Sequence, residues 1–317
     1  MKLALTGSGG WIGGRLRDLA LDRGIDTRVV RARAGTPIDL PEADVMIHVG
    51  GIAHDLGGEM DEAAYRAANA ELPVELARRC AEAGYGRFVF VSSAKVIGDA
   101  TTAPADEETV CRPTGPYARA KLDAERGLAT LAAQLGIEMT VVRPPLVYGP
   151  GVGANFARLL RFADGAWPWP TSPRGARRSL VYIDNLVDAL LFLALRPDPT
   201  ADPAEGTSDG RGPATNGASI YHVADGPAPT VDEVVERLRK ALGRPARRLH
   251  IPGALVGAML ATPVVGDKAR RLFDSLELDI GRLLAAGWRP PVPFDAAIER
   301  TAHAWRARNR ADPPQSA

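Results

Sequence analysis

Cysteine is scarce in this chain: Cys80 and Cys111 are the two in 317 residues, and neither belongs to a C-x-x-C pair. No disulfide framework follows, and such usage suits a reducing cytoplasm. Net charge is nearly absent, with 39 basic against 38 acidic residues and no Lys/Arg block or tail. A nucleic-acid partner is therefore not expected. The five histidines are scattered without zinc-site spacing, so no metal is expected either. The opening MKLALTG is too short and too soon broken by glycine for a signal peptide. The longest uncharged stretch, IPGALVGAMLATPVVG (251–266), contains Pro252 and Pro263. It falls short of the ~20 apolar residues of a membrane span, so no membrane partner is expected. It reads as a buried or interface helix.

What remains, 45% hydrophobic and 24% charged residues, is ordinary globular composition. The length fits one large or two modest domains. Short apolar runs, KLALTG (2–7), TRVVR (27–31), DVMIHVG (44–50), RFVFVSS (87–93) and EMTVVRPP (138–145), read as strands. They are nearly apolar on both faces, as buried parallel strands are. Helical patterns over 11–23, 61–83 and 117–135 separate them. This alternation predicts an α/β fold, a Rossmann-type doubly wound parallel sheet.

After residue 149 proline and glycine become frequent. Residues 179–195 read as a strand followed by a helix, 220–225 as a strand and 230–242 as an amphipathic helix. The Pro/Gly-rich 197–219 reads as a flexible insertion. The expected division is a dinucleotide-binding domain over 1–148 plus 177–225. A smaller C-terminal α/β substrate domain takes 149–176 plus 226–310, and 311–317 is a tail. No internal repeat is evident.

The first strand runs into TGSGGWIGG, where Gly7, Gly10 and Gly13 precede a helical pattern. Glycines there allow a tight turn and close approach of a pyrophosphate to the helix N-terminus. In an NAD site a carboxylate follows about twenty residues later, on the ribose hydroxyls. Here that place holds Arg31, with Arg33 beside it and no carboxylate. A guanidinium suits the 2′-phosphate of NADP, which is therefore the expected cofactor, with NAD the alternative.

YARAK (117–121) places Tyr117 and Lys121 four apart, on one face of a helix. Alone the pair is a helix face or a proton-transfer pair. Its surroundings decide. The chain resembles the extended short-chain dehydrogenase/reductases, the nucleotide-sugar epimerase, dehydratase and reductase superfamily, over nearly its whole length. T-G-x-x-G-x-x-G matches Thr6–Gly13, and DL at 39–40 looks like the adenine-contacting pair. HVGG (48–51) stands at the family's H-L-A-A, SSAKVIG (92–98) at S-S-x-x-V-Y-G, and YARAK at Y-x-x-x-K. RPPLVYGPG (143–151) and RRSLVYIDNLVDAL (177–190) follow in the family's order.

The resemblance implies that Tyr117 is the general acid/base and that Lys121 lowers its pKa and holds the nicotinamide ribose. It makes Ser93, with Ser92 as second choice, the serine bonded to the reacting oxygen. A phenol of ordinary pKa about 10 does need adjacent positive charge to work near neutrality. The implied cofactor contacts are Gly7, Ser8, Gly10, Trp11, Ile12 and Gly13, then Arg31, Arg33, Asp39 and Leu40. They continue with Val49, Gly50, Gly51, His54, Asn69, Val91, Pro144 and Val147, besides Tyr117 and Lys121. Implied substrate contacts are Ser93, Lys95, Asn155, Arg178 and Arg271 (or Arg270). His48 and His54 support the cofactor loop. The partner is a small nucleotide sugar. The family also implies a homodimer through helices 61–83 and 117–135.

Departures narrow the reaction. Sugar 4,6-dehydratases carry Asp-Glu directly after the serine or threonine, where this chain has Ala94 and Lys95. Their elimination therefore lacks its acid and base. Ala94 also stands where a GDP-fucose synthase has its cysteine. A 4-epimerase and a 4-ketoreductase remain, and Arg31 favours the NADPH-dependent reductase. Finer details resemble a bacterial O-antigen and capsule subgroup with reductases of UDP- or dTDP-linked 4-keto-6-deoxy sugars. A non-catalytic dinucleotide-binding regulator is a remote alternative, since such proteins usually lose the tyrosine or the lysine. Leu146 replaces a substrate-facing asparagine of some epimerases.

Overall fold

The computed structural model describes residues 1–52, 62–171, 175–196, 218–254, 262 and 274–311. In chain order the elements begin β1 (Lys2–Thr6), α1 (Trp11–Asp22), β2 (Asp26–Val30), β3 (Val45–His48), α2 (Glu62–Arg66) and α3 (Leu72–Glu82). They continue with β4 (Arg87–Val91), α4 (Gly115–Leu135), β5 (Glu138–Arg143), β6 (Leu146–Tyr148), α5 (Ala154–Asp164), β7 (Trp169–Thr171) and β8 (Leu180–Tyr182). Last come α6 (Ile183–Leu195), β9 (Ala218–His222), α7 (Val231–Ala241), β10 (Arg248–His250), α8 (Gly281–Ala285) and α9 (Phe294–Ala311).

Six strands form one parallel sheet in the order β2-β1-β3-β4-β5-β9. Successive side chains of each strand point to opposite faces, so each strand feeds two cores. Leu3, Leu5, Ile47, Val89 and Val91 join the core under α1 and α6. Ala4, Met46, Phe88, Phe90 and Val141 join the core under α3 and α4. Helices thus cover both faces, and the expected doubly wound sheet is present. Small paired strands, β6 with β8 and β7 with β10, lie outside it.

Two readings are corrected. The run at 27–31 does not form a strand buried on both faces: β2 is the sheet edge, and Val29 is 50% exposed. An edge strand has a neighbour on one side only, and apolar content does not reveal which strand that is. The helix expected over 61–83 is interrupted by a π turn at Ala67–Glu71. The extra residue of such a turn re-aims side chains, and here buried Asn69 clamps the loop after β3. Its Oδ1 accepts from Ile52 N at 3.0 Å and its Nδ2 donates to Ile52 O at 3.0 Å. The last helix, α9, runs on to Ala311.

Candidate active site

In an open parallel sheet the ligand crevice lies beyond the carboxyl ends of the strands, where the strand order reverses. That place is between β1 and β3. Gly7, just past β1, has φ +74°, and a Cβ there would stand 2.8 Å from Gly50 N. A Cβ on Gly13 would stand 2.1 Å from Gly7 O, so the loop closes directly onto the start of α1. This is the tight turn at a helix N-terminus that a pyrophosphate requires, and the chain fits a dinucleotide there. Trp11 sits at the first turn, but its indole N–H donates to Pro150 O at 2.8 Å. It ties the glycine loop to the segment beyond β6.

At the end of β2 stand Arg31 and Arg33, both exposed, as is Asp39. Arg33 lines a cleft of about 540 Å³ with Pro37, Ile38, Leu72 and Arg79. Leu40 packs beside Ile38 against the core. Ser8 belongs to the glycine turn and Ile12 to the first turn of α1, and Val49, Gly50 and Gly51 follow β3. A Cβ on Gly51 would come 3.2 Å from Lys121 Nζ, so this loop and α4 face one another.

α4 enters through Gly115 and Pro116 and carries Tyr117 and Lys121 a turn apart. Lys121 is buried, donates to Val91 O at 2.9 Å and lies 4.6 Å over the Phe90 ring. Burial lowers its amine to about 8, against the pull of Glu125. Burial raises the Tyr117 phenol above its ordinary value, while Ser93 beside it pulls the other way. Ser93 caps the short turn Ala94–Val96, its Oγ accepting from Lys95 N at 3.2 Å. Ser92 faces elsewhere: its Oγ donates to Glu125. Pro144 O accepts from Ala94 N at 2.9 Å, which fixes this turn against the end of β5.

The substrate-side residues are less gathered. Lys95 pairs with Asp99 at 2.5 Å, and Asp99 also accepts from Thr114. Arg178 Nη1 reaches Asp99 O at 3.5 Å, which brings it to this wall. Asn155 is exposed at the start of α5, against Arg158 at 3.3 Å. Val147 is half-buried on β6. His54, Arg270 and Arg271 lie outside the described residues. Among the described residues no group of three or more His, Cys, Asp or Glu could hold a metal, and no helix is long and apolar enough to cross a membrane.

Sequence reasoning missed Glu125 and Arg143, which meet behind Lys121; the four-residue step from Lys121 to Glu125 was the available signal. It also missed how His48 is set. Thr6 Oγ1 lies 2.6 Å from His48 Nδ1, and the ring stacks on Phe88 and Phe90. Burial, then Lys121, lowers His48 to about 3, and burial with Arg143 lowers His222 to about 4. Both rings stay neutral in the fold, whereas the unfolded chain takes up protons below about 6.5. Their stabilisation is complete above that pH and is lost as pH falls toward their folded values. Each contributes a slope of up to about 1.4 kcal/mol per pH unit. Urea unfolding between pH 7.5 and 4.5 is expected to show a shallower acid loss for His222→Asn than for wild type. Equal slopes would mean that His222 is not held neutral.

Comparisons with known proteins agree with the fold. Residues 3–204 match the model of the NAD dependent epimerase/dehydratase family. A UDP-glucose 4-epimerase of Vibrio cholerae is 32% identical over 98% of this chain and 97% of its own. A dTDP-4-dehydrorhamnose reductase of Mycobacterium tuberculosis is 32% identical over 61% of this chain and 66% of its own. Among solved structures, MoeE5 in complex with UDP-glucose and NAD superposes with a TM-score of 0.72 at 20% identity, covering 97% of this chain and 99% of that one. The fold is of the Rossmann class, with its crevice between β1 and β3. The chain belongs to the NAD dependent epimerase/dehydratase family, an NAD(P)-dependent enzyme family of nucleotide-sugar epimerases and reductases.

Proposed function

We propose that this chain reduces the C4 ketone of a nucleotide-linked 4-keto-6-deoxy sugar, on a UDP or dTDP carrier, with NADPH, in bacterial surface polysaccharide synthesis. The observation that carries the reading is Arg31 at the end of β2, where an NAD site needs a carboxylate. NADPH, when bound, supplies the hydride to C4. Tyr117 then gives its phenolic proton to the C4 oxygen, which leaves an alcohol. A buried phenol held above its ordinary value is protonated at neutral pH, as a general acid must be. Ser93 orients the ketone oxygen beside it, and Lys121 carries the positive charge that favours the phenolate left behind. The likeness to a dTDP-4-dehydrorhamnose reductase supports the same chemistry.

A second reading, C4 epimerisation of a UDP-hexose on tightly held NAD, is favoured by the full-length likeness to the Vibrio cholerae epimerase. The two separate in one assay. With a 4-keto-6-deoxy sugar nucleotide made in situ, the reductase consumes NADPH stoichiometrically. Interconversion of a UDP-hexose without added cofactor, and no NADPH loss, would make the chain an epimerase.

Cofactor choice gives a sharper test. A charge-assisted bond to the 2′-phosphate is worth about 1.5–3 kcal/mol, roughly 10- to 100-fold in binding. Arg31→Glu is expected to weaken NADPH by that factor in a fluorescence titration and to leave NADH within a few-fold. An unchanged preference would mean that Arg31 points to water.

A further inference from the structure

Lys121 is 3% exposed, and its two close acceptors, the Val91 carbonyl and the Phe90 ring, are both neutral. A buried ammonium without a counter-charge loses its proton. Glu125 stands one helical turn further along α4, on the same face. It is 5% exposed and fixed from two strands. Ser92, next after β4, donates its hydroxyl to Glu125 Oε1. Arg143, the last residue of β5, donates through Nε at 3.1 and 3.2 Å and through Nη2 at 2.6 Å. Three elements therefore converge on one carboxylate that touches neither the glycine loop nor Tyr117.

The other groups around Lys121 do not supply a negative charge. His48, from β3, is neutral. Tyr117, from α4, is a raised phenol with Tyr65 of α2 against it. Cys111, from the loop before α4, is raised by burial and lies by Arg143 and Glu125. Arg143 brings a second positive charge from β5, already engaged by Glu125.

We propose that Glu125 is a positioning residue that acts through Lys121: clamped by Ser92 and Arg143, it supplies the counter-charge that keeps the ammonium in place behind Tyr117. The inference rests on the reading of Tyr117 and Lys121 as the proton-transfer pair.

The chain has five lysines, Lys2, Lys95, Lys121, Lys240 and Lys268. Selective ¹³Cε-lysine NMR of the full chain thus gives a small set of resonances, and Lys121→Arg identifies that of Lys121. In wild type it is expected to titrate near pH 8. Glu125→Gln is expected to lower that midpoint by about one unit or more, a tenfold or larger loss of proton affinity. The alkaline limb of the kcat profile for NADPH-dependent reduction should move down in parallel. Glu125→Asp should recover part of both shifts. Because Glu125→Gln strands the Arg143 charge, Glu125→Gln/Arg143→Gln is the second variant. It keeps a neutral hydrogen-bonded pair and should move Lys121 in the same direction by less. An unmoved Lys121 midpoint in either folded variant would overturn the proposal. A moved midpoint with an unmoved pH profile would uphold Glu125 as the counter-ion and instead remove Lys121 from the chemistry.

Discussion

Tyr117→Phe is expected to lower turnover of a 4-keto-6-deoxy sugar nucleotide by about 10²- to 10⁴-fold, the usual worth of a positioned general acid. The phenylalanine keeps the ring and its packing at the mouth of α4 and removes the one proton that Tyr117 offers to the C4 oxygen. NADPH binding, followed by fluorescence, should stay within a few-fold, because the glycine loop and Arg31 are untouched. A fall in kcat with near-constant cofactor affinity is the signature of an interaction made at the reacting atoms. Ser93→Ala should cost less, since it removes a hydrogen bond and leaves the proton donor. The same loss would follow for an epimerase, so this variant separates an enzyme from a dinucleotide-binding regulator rather than one reaction from another. Turnover unchanged in Tyr117→Phe would bring the binding-only role forward.

What could be read from the sequence was what is local. The glycine spacing of Gly7, Gly10 and Gly13 lies within one turn, and Tyr117 and Lys121 lie within one turn of α4. Hydrophobic runs announced the central strands, because a strand covered on both sides must be apolar on both sides. What was not legible depends on contacts far apart in sequence. Glu125 and Arg143 meet only because α4 lies over the neighbouring strands β4 and β5. The indole N–H of Trp11 goes to Pro150, 139 residues away. The π turn that aims Asn69 at Ile52 leaves no mark in the hydrophobic period over 61–83. The exposure of β2 follows from its place at the edge, a property of strand order and not of the run TRVVR. It also leaves Arg31 and Arg33 exposed, where the 2′-phosphate of the proposed cofactor would be met without burying a charge.

The glycine loop gives the other large effect. Gly13→Ala adds one methyl group, and its Cβ would stand 2.1 Å from Gly7 O, 2.6 Å from Gly7 C and 3.0 Å from Ser8 N. All three are backbone atoms, so no side-chain rotamer relieves the overlap, and the turn itself has to open. Overpacking of this kind costs about 1–3 kcal/mol or more. The displaced atoms are those that a pyrophosphate must approach, so the cost falls on cofactor binding, as a rise in Kd of about 10- to 100-fold. Gly14→Ala is the matched control. Its Cβ finds only Ser8 O at 3.4 Å, an ordinary contact, and alanine favours the helix that begins there. Its NADPH affinity should stay near that of wild type. Equal affinity in Gly13→Ala and wild type would show that the dinucleotide does not lie against this turn, and the cofactor site would then have to be sought away from the β1–β3 crevice.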